Sequence, residues 1–128
     1  TQFLFAADRS NPKLAERFDW MSPAILRFLS RASDNALRFD IPLGVCGEMG
    51  GRPLDALALL GLGIRSLSIT PASVGPIKAM VRSLDLGQAK REMKAILKEA
   101  PVEPRQRLEQ WANKHRVRAN DPWRRKNR

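Results

Sequence analysis

The residues best suited to chemistry lie in "IPLGVCGEMGGRP", positions 41–53, where the single cysteine, Cys46, stands between Gly44 and Gly47 with Glu48 two residues on. A thiol on such a loop can act as nucleophile, metal ligand or proton donor. A metal site needs several Cys, His or carboxylate ligands at defined spacing, and the one histidine, His115, stands far along the chain. Nucleophilic catalysis by cysteine wants a base, usually histidine, and none is near in sequence. Proton donation asks only for a positioned thiol. The bland alternative, a buried cysteine behaving as a small apolar residue, stays open. His115 itself reads as an exposed residue at a helix end.

These residues need elements to position them. Positions 41–46 are a short aliphatic run closed by the Gly-rich turn 47–52, which reads as a strand buried on both faces with Pro42 at its start. Pro53 suits the first turn of a helix, where its missing N–H costs nothing, and positions 54–62 are apolar on nearly every side, so this helix is expected to be buried. Gly61 and Gly63 can stop it, after which Leu67 and Ile69 alternate with Ser66, Ser68 and Thr70 as a second strand. Parallel strands require such a crossover, and sheets of this kind are covered by helices. In a barrel of such units the C-terminal strand ends and the loops after them carry the working residues, and Cys46 takes that place.

Upstream, Ser22 caps and Pro23 opens a helix to about Ala36, with Ile25, Leu26, Leu29 and Ala32 as its apolar stripe. Positions 1–7 read as a strand end or a turn of helix, and 8–12 as loop. Downstream, Ser73 is expected as an N-cap with Pro76 in the first turn, and Ile77, Met80, Val81 and Leu84 share a helix face. Positions 86–100 form an amphipathic helix with Ala89, Met93, Ile96 and Leu97 inward and Lys90, Arg91, Lys94 and Lys98 toward water. Pro101 and Pro104 precede a last helix over 105–115, docked through Leu108, Trp111 and Ala112. Disorder is expected after Val117. Two parallel strands with four or five helices cannot form an independent sheet, so the chain reads as a piece of a larger α/β domain.

The net charge is +10, but Lys114–Arg128 alone holds seven Lys or Arg against one acid, a net +6, which leaves +4 for the rest. That end reads as a solvated tail rather than a recognition element. A basic nucleic-acid module using this tail, with Trp123 stacking on bases, is the alternative from another functional class. One cysteine and no leader-like opening suggest a reducing, cytoplasmic setting, and no apolar run reaches the roughly 20 residues of a membrane span.

The stretch "IPLGVCGEMGGRPLDALALLGLGIRSLSITPASVGPIK" resembles the end of the phosphoenolpyruvate-binding barrel of phosphoenolpyruvate-protein phosphotransferases, Enzyme I and its nitrogen-related paralogue. "TQFLFAADRSN" and the "SPAILRFL" helix resemble what precedes it in that family, so the likeness covers about Thr1 to Leu84. Pyruvate phosphate dikinase and phosphoenolpyruvate synthase share the barrel and a similar Cys-Gly-Glu; the flanks favour the phosphotransferase.

The resemblance implies the C-terminal portion of a (β/α)8 TIM barrel over 1–85, followed by C-terminal helices over 86–117 and a basic tail over 118–128. It implies binding of phosphoenolpyruvate and Mg²⁺ at the barrel mouth, transfer of the phosphoryl group to a histidine on a separate domain, and protonation of the remaining enolate to pyruvate. Cys46 matches the proton donor, and Arg9 matches an arginine that binds the phosphate, a role its planar fork of donors suits. Gly47 and Glu48 fall beside the donor and are expected to orient the loop. The family's metal carboxylates fall before Thr1, so no metal ligand is expected in this chain. Arg52 stands where an acidic residue is common, and His115 matches no phosphoryl acceptor. The implied partners are phosphoenolpyruvate, a phosphocarrier protein and a second copy through the barrel domain, with no membrane.

Overall fold

The computed structural model describes residues 19–120, together with Leu4 and Ala6. Helix α1 spans Pro23–Arg38, starting where expected because Ser22 Oγ accepts from the Ile25 N–H at 3.5 Å and Pro23 fills the first turn. It buries Ile25 and Leu26. Strand β1 is Gly44–Cys46, α2 is Glu48–Gly51, and α3 is Pro53–Gly61. Strand β2 is Ser66–Ser68, followed by α4 over Pro71–Arg82, α5 over Leu86–Glu99 and α6 over Pro104–Lys114. The fold is α/β, mostly helical, with one small parallel sheet.

The crossover unit forms as the hydrophobic pattern requires. β1 and β2 pair in parallel with Gly44 opposite Ser66, Val45 opposite Leu67 and Cys46 opposite Ser68. Between them α3 is buried from Pro53 to Leu59 and packs against α4, α5 and α6. Leu57 of α3, Met80 of α4, Met93 and Ile96 of α5 and Leu108 of α6 lose essentially all exposure, along with Met21 and Leu26. Burial of this kind contributes about 1.5–3 kcal/mol for each large side chain and is the main term holding the helices around α3. No helix among the described residues is long and apolar enough to cross a membrane.

Three expectations are corrected. β1 is shorter than 41–46, because the Ile41 N–H donates back to Ala36 O of α1 at 2.8 Å and Pro42 has no N–H to give a ladder. It is also not buried on both faces: Gly44 and Cys46 are exposed and Val45 half-buried, since among the described residues β2 is the one strand beside it. Helix α4 starts at Pro71 with Thr70 before it, not after Ser73. Ser73 is instead a buried helical residue whose Oγ lies 3.1 Å from Thr70 Oγ1, and Pro76 sits inside the helix.

Order continues past Val117. Val117 and Ala119 are both buried, and the Arg118 N–H donates to Ser83 Oγ at 2.9 Å, tying the segment to the end of α4. The expectations for positions 1–3, 5 and 7–18 and for 121–128 lie outside the described residues.

Candidate functional site

Cys46 closes β1 and is exposed. Gly47 follows at φ 108°, ψ −171°, a conformation open essentially to glycine alone, and turns the chain from strand into α2. Glu48 begins α2 and points to solvent, while Met49, Gly50 and Gly51 are buried beneath it. A Cβ at Gly51 would stand 2.9 Å from Ser73 Oγ, so the glycine lets the loop lie against the start of α4. The sequence-predicted trio Cys46, Gly47 and Glu48 thus forms one strand-to-helix corner. Arg9 lies outside the described residues.

The corner opens onto a hollow of about 590 Å³ whose walls include Trp20, Ile25, Phe28, Val45 and Met49, and among the described residues its one charged liner is Glu48. Cys46 lies on the rim of this hollow, exposed at the end of its strand. Among the described residues no cation lines this hollow, and no three His, Cys, Asp or Glu side chains gather as a metal-binding set. His115 is remote from it in the fold: it is exposed at the end of α6, stacked on Trp111 at 4.5 Å, with Nδ1 donating to Trp111 O at 2.8 Å.

A second set of residues, absent from the sequence reading as functional candidates, abuts this corner. The Arg52 guanidinium, at the end of the loop, lies 4.8 Å from the centre of the Trp20 ring. Next to Trp20, Asp19 accepts from the Met21 N–H at 3.0 Å and from Arg105 Nη2 at 2.6 Å and Nε at 3.2 Å. Arg105 Nη1 also stands 2.9 Å from Oδ1 of Asp55, a fully buried residue in the first turn of α3. Burial alone would raise Asp19, but the hydrogen bonds from Arg105 and the Met21 N–H outweigh it and hold the carboxyl below its ordinary value. For Asp55 burial prevails and pushes the carboxyl up, against the attraction of Arg105 and Arg52. Burial would likewise lower Arg105, but its two carboxylates hold it above the ordinary arginine value. The signal that could have flagged Asp55 is a lone acid inside the apolar run "PLDALALLG". Nothing local connects it to Arg105, or Arg105 to Asp19, 86 residues away.

Residues 1–86 match the family described as "PEP-utilising enzyme, PEP-binding domain". The chain is 43% identical over 82 residues, 64% of its length, to the multiphosphoryl transfer protein of Xanthomonas campestris pv. campestris, of which it covers 10%. It is 39% identical over 89 residues, 70% of its length, to the phosphoenolpyruvate-dependent phosphotransferase system protein of Salmonella typhimurium, covering 12% of it. To the phosphoenolpyruvate-protein phosphotransferase of Borreliella burgdorferi it is 39% identical over 82 residues, 64% of its length and 14% of that protein. The chain spans about a tenth to a seventh of the length of these relatives. The matched residues contain the Cys46 corner, the crossover unit and the whole of α4, and on that match the chain belongs to the PEP-utilising enzymes through their PEP-binding domain.

Proposed function

We propose that this chain is part of a phosphoenolpyruvate-protein phosphotransferase, that it supplies the proton that completes pyruvate, and that the full cycle needs residues beyond its own. The single observation carrying this reading is Cys46, exposed at the C-terminal end of β1 on a glycine corner, within the residues matched to the family. As phosphoenolpyruvate gives its phosphoryl group to a protein histidine, the P–O bond breaks and leaves its electron pair on the enolate. The enolate carbon then takes the proton of the Cys46 Sγ–H, and the exposed thiolate regains a proton from water. Gly47 and Glu48 shape the corner that presents the thiol, and Arg9 binds the phosphate.

A parallel sheet of two strands among the described residues fits a larger (β/α)8 barrel completed by strands outside them. Delivery to a phosphocarrier protein, dimerisation through the barrel and a cytoplasmic setting belong to the same reading. Mg²⁺ belongs to it as well, since the ion would offset charge on the phosphoryl oxygens. The described residues do not supply a ligand set for it, and no step above passes through it.

The test is a chimaera in which this chain replaces the matching segment of the Salmonella relative. Transfer of labelled phosphate from phosphoenolpyruvate to a histidine of the chimaera, with release of pyruvate, is the expected result. A folded chimaera that binds phosphoenolpyruvate but performs neither step contradicts the proposal.

A further inference from the structure

We infer that Arg105, on a helix beyond the family-matched residues, is a positioning residue that braces the wall of the Cys46 corner. The inference rests on the functional reading above for what the corner does, but the brace itself is visible in the geometry. One guanidinium holds Asp19 through Nη2 and Nε and reaches Asp55 through Nη1. Asp19 immediately precedes Trp20, a wall of the hollow, and Trp20 carries the Arg52 guanidinium on its ring. Asp55 lies three residues after Arg52 in the first turn of α3, so Arg105 fastens both segments that flank the end of the loop.

Packing alone does not account for this arrangement. Asp55 is completely buried, and neither of its oxygens makes a well-formed hydrogen bond. A buried ion pair of this kind is often no more stabilising than apolar residues of the same volume. What a forked cation adds over apolar packing is direction, because one planar group fixes two carboxylates on two different segments. Helix α6 thereby has a role at the site although it contributes no residue to the hollow.

Amide hydrogen exchange on the 128-residue chain tests the brace without any substrate, so its outcome is separate from that of the phosphotransfer experiment. The double variant Asp55→Asn with Arg105→Met removes the buried pair together and leaves Asp19, which is partly exposed to water, as the one acid without its partner. Exchange over residues 47–52 should accelerate about tenfold while α5 keeps its rates, and Arg105→Lys should not preserve protection, since a compact ammonium lacks the planar fork that spans both acids. Uniform acceleration across the chain, or unchanged rates over 47–52, would overturn the inference and leave Arg105 as a fastening for α6 alone. Should the double variant not fold, Asp19→Asn keeps the buried pair. It should still speed exchange over 47–52 severalfold, and unchanged rates there would equally overturn the brace.

Discussion

A Cβ added to Gly61 would stand 2.5 Å from Met93 Cγ and 3.1 Å from the carbonyl oxygen of Ala89. Helices α3 and α5 therefore touch backbone to backbone at the point where the crossover helix ends. The side chain of Met93 can shift, but the Ala89 carbonyl is part of a helix and cannot move far. Gly61→Ala should cost about 1–3 kcal/mol through overpacking. Urea titration checks this, and an unchanged midpoint would mean that α5 yields freely.

Glycines 47 and 75 provide a contrast in which space is equal and backbone differs. A Cβ meets nothing within 4 Å at either position, but Gly47 has φ 108° while Gly75 sits inside α4. Gly47→Ala should destabilise by about 1–3 kcal/mol through backbone strain alone. Gly75→Ala should stabilise by about 0.5–1 kcal/mol, because alanine gives up less chain entropy in a helix. Thermal unfolding of the two variants should show shifts of opposite sign.

The two carboxylates held by Arg105 have opposite pH signatures. Asp19 is held below the ordinary 3.8, so its contribution is present above that pH and is lost as pH falls through its folded value. Asp55 is raised above 3.8, so its contribution is fully present below that pH and is lost as pH rises through its folded value. Asp19→Asn should flatten the acid limb of the stability curve, and Asp55→Asn should remove a loss that sets in above about pH 4. Denaturant midpoints across the acid range distinguish them; equal effects of both variants on one limb would contradict these assignments.

Much of this fold is legible in the sequence because its signals are local. Pro53 followed by an apolar run marks α3, the alternation around Leu67 marks β2, and the stripe Ala89, Met93, Ile96 marks α5 to within one residue. The start of α4 is ambiguous, since Thr70 with Pro71 and Ser73 with Pro76 offer two caps and two prolines, and the first pair wins. The exposure of β1 depends on which strands stand beside it, which no pattern within 41–46 encodes. For the site, the position of Cys46 at a strand end follows from the local pattern, whereas its role comes from family resemblance. The Asp19–Arg105–Asp55 cluster is a tertiary meeting of three distant segments and leaves no spacing to read.

Because Cys46 is exposed and its strand half-open, Cys46→Ala should change folding stability by less than about 1 kcal/mol. A thiol reagent should label the native protein without prior unfolding. Protection of the thiol until the protein unfolds would show that it belongs to the core. With stability unaffected, any functional loss in this variant is chemical.

The most direct measurement is the rate of pyruvate release from phosphoenolpyruvate by the chimaera carrying Cys46→Ala, alongside its affinity for phosphoenolpyruvate. If Cys46 protonates the enolate, release falls by two to four orders of magnitude, on the order expected for loss of a general acid, while binding stays within a few fold of the parent. Pyruvate release at the parental rate would contradict the account and leave Cys46 as an exposed strand-end residue without a part in the chemistry.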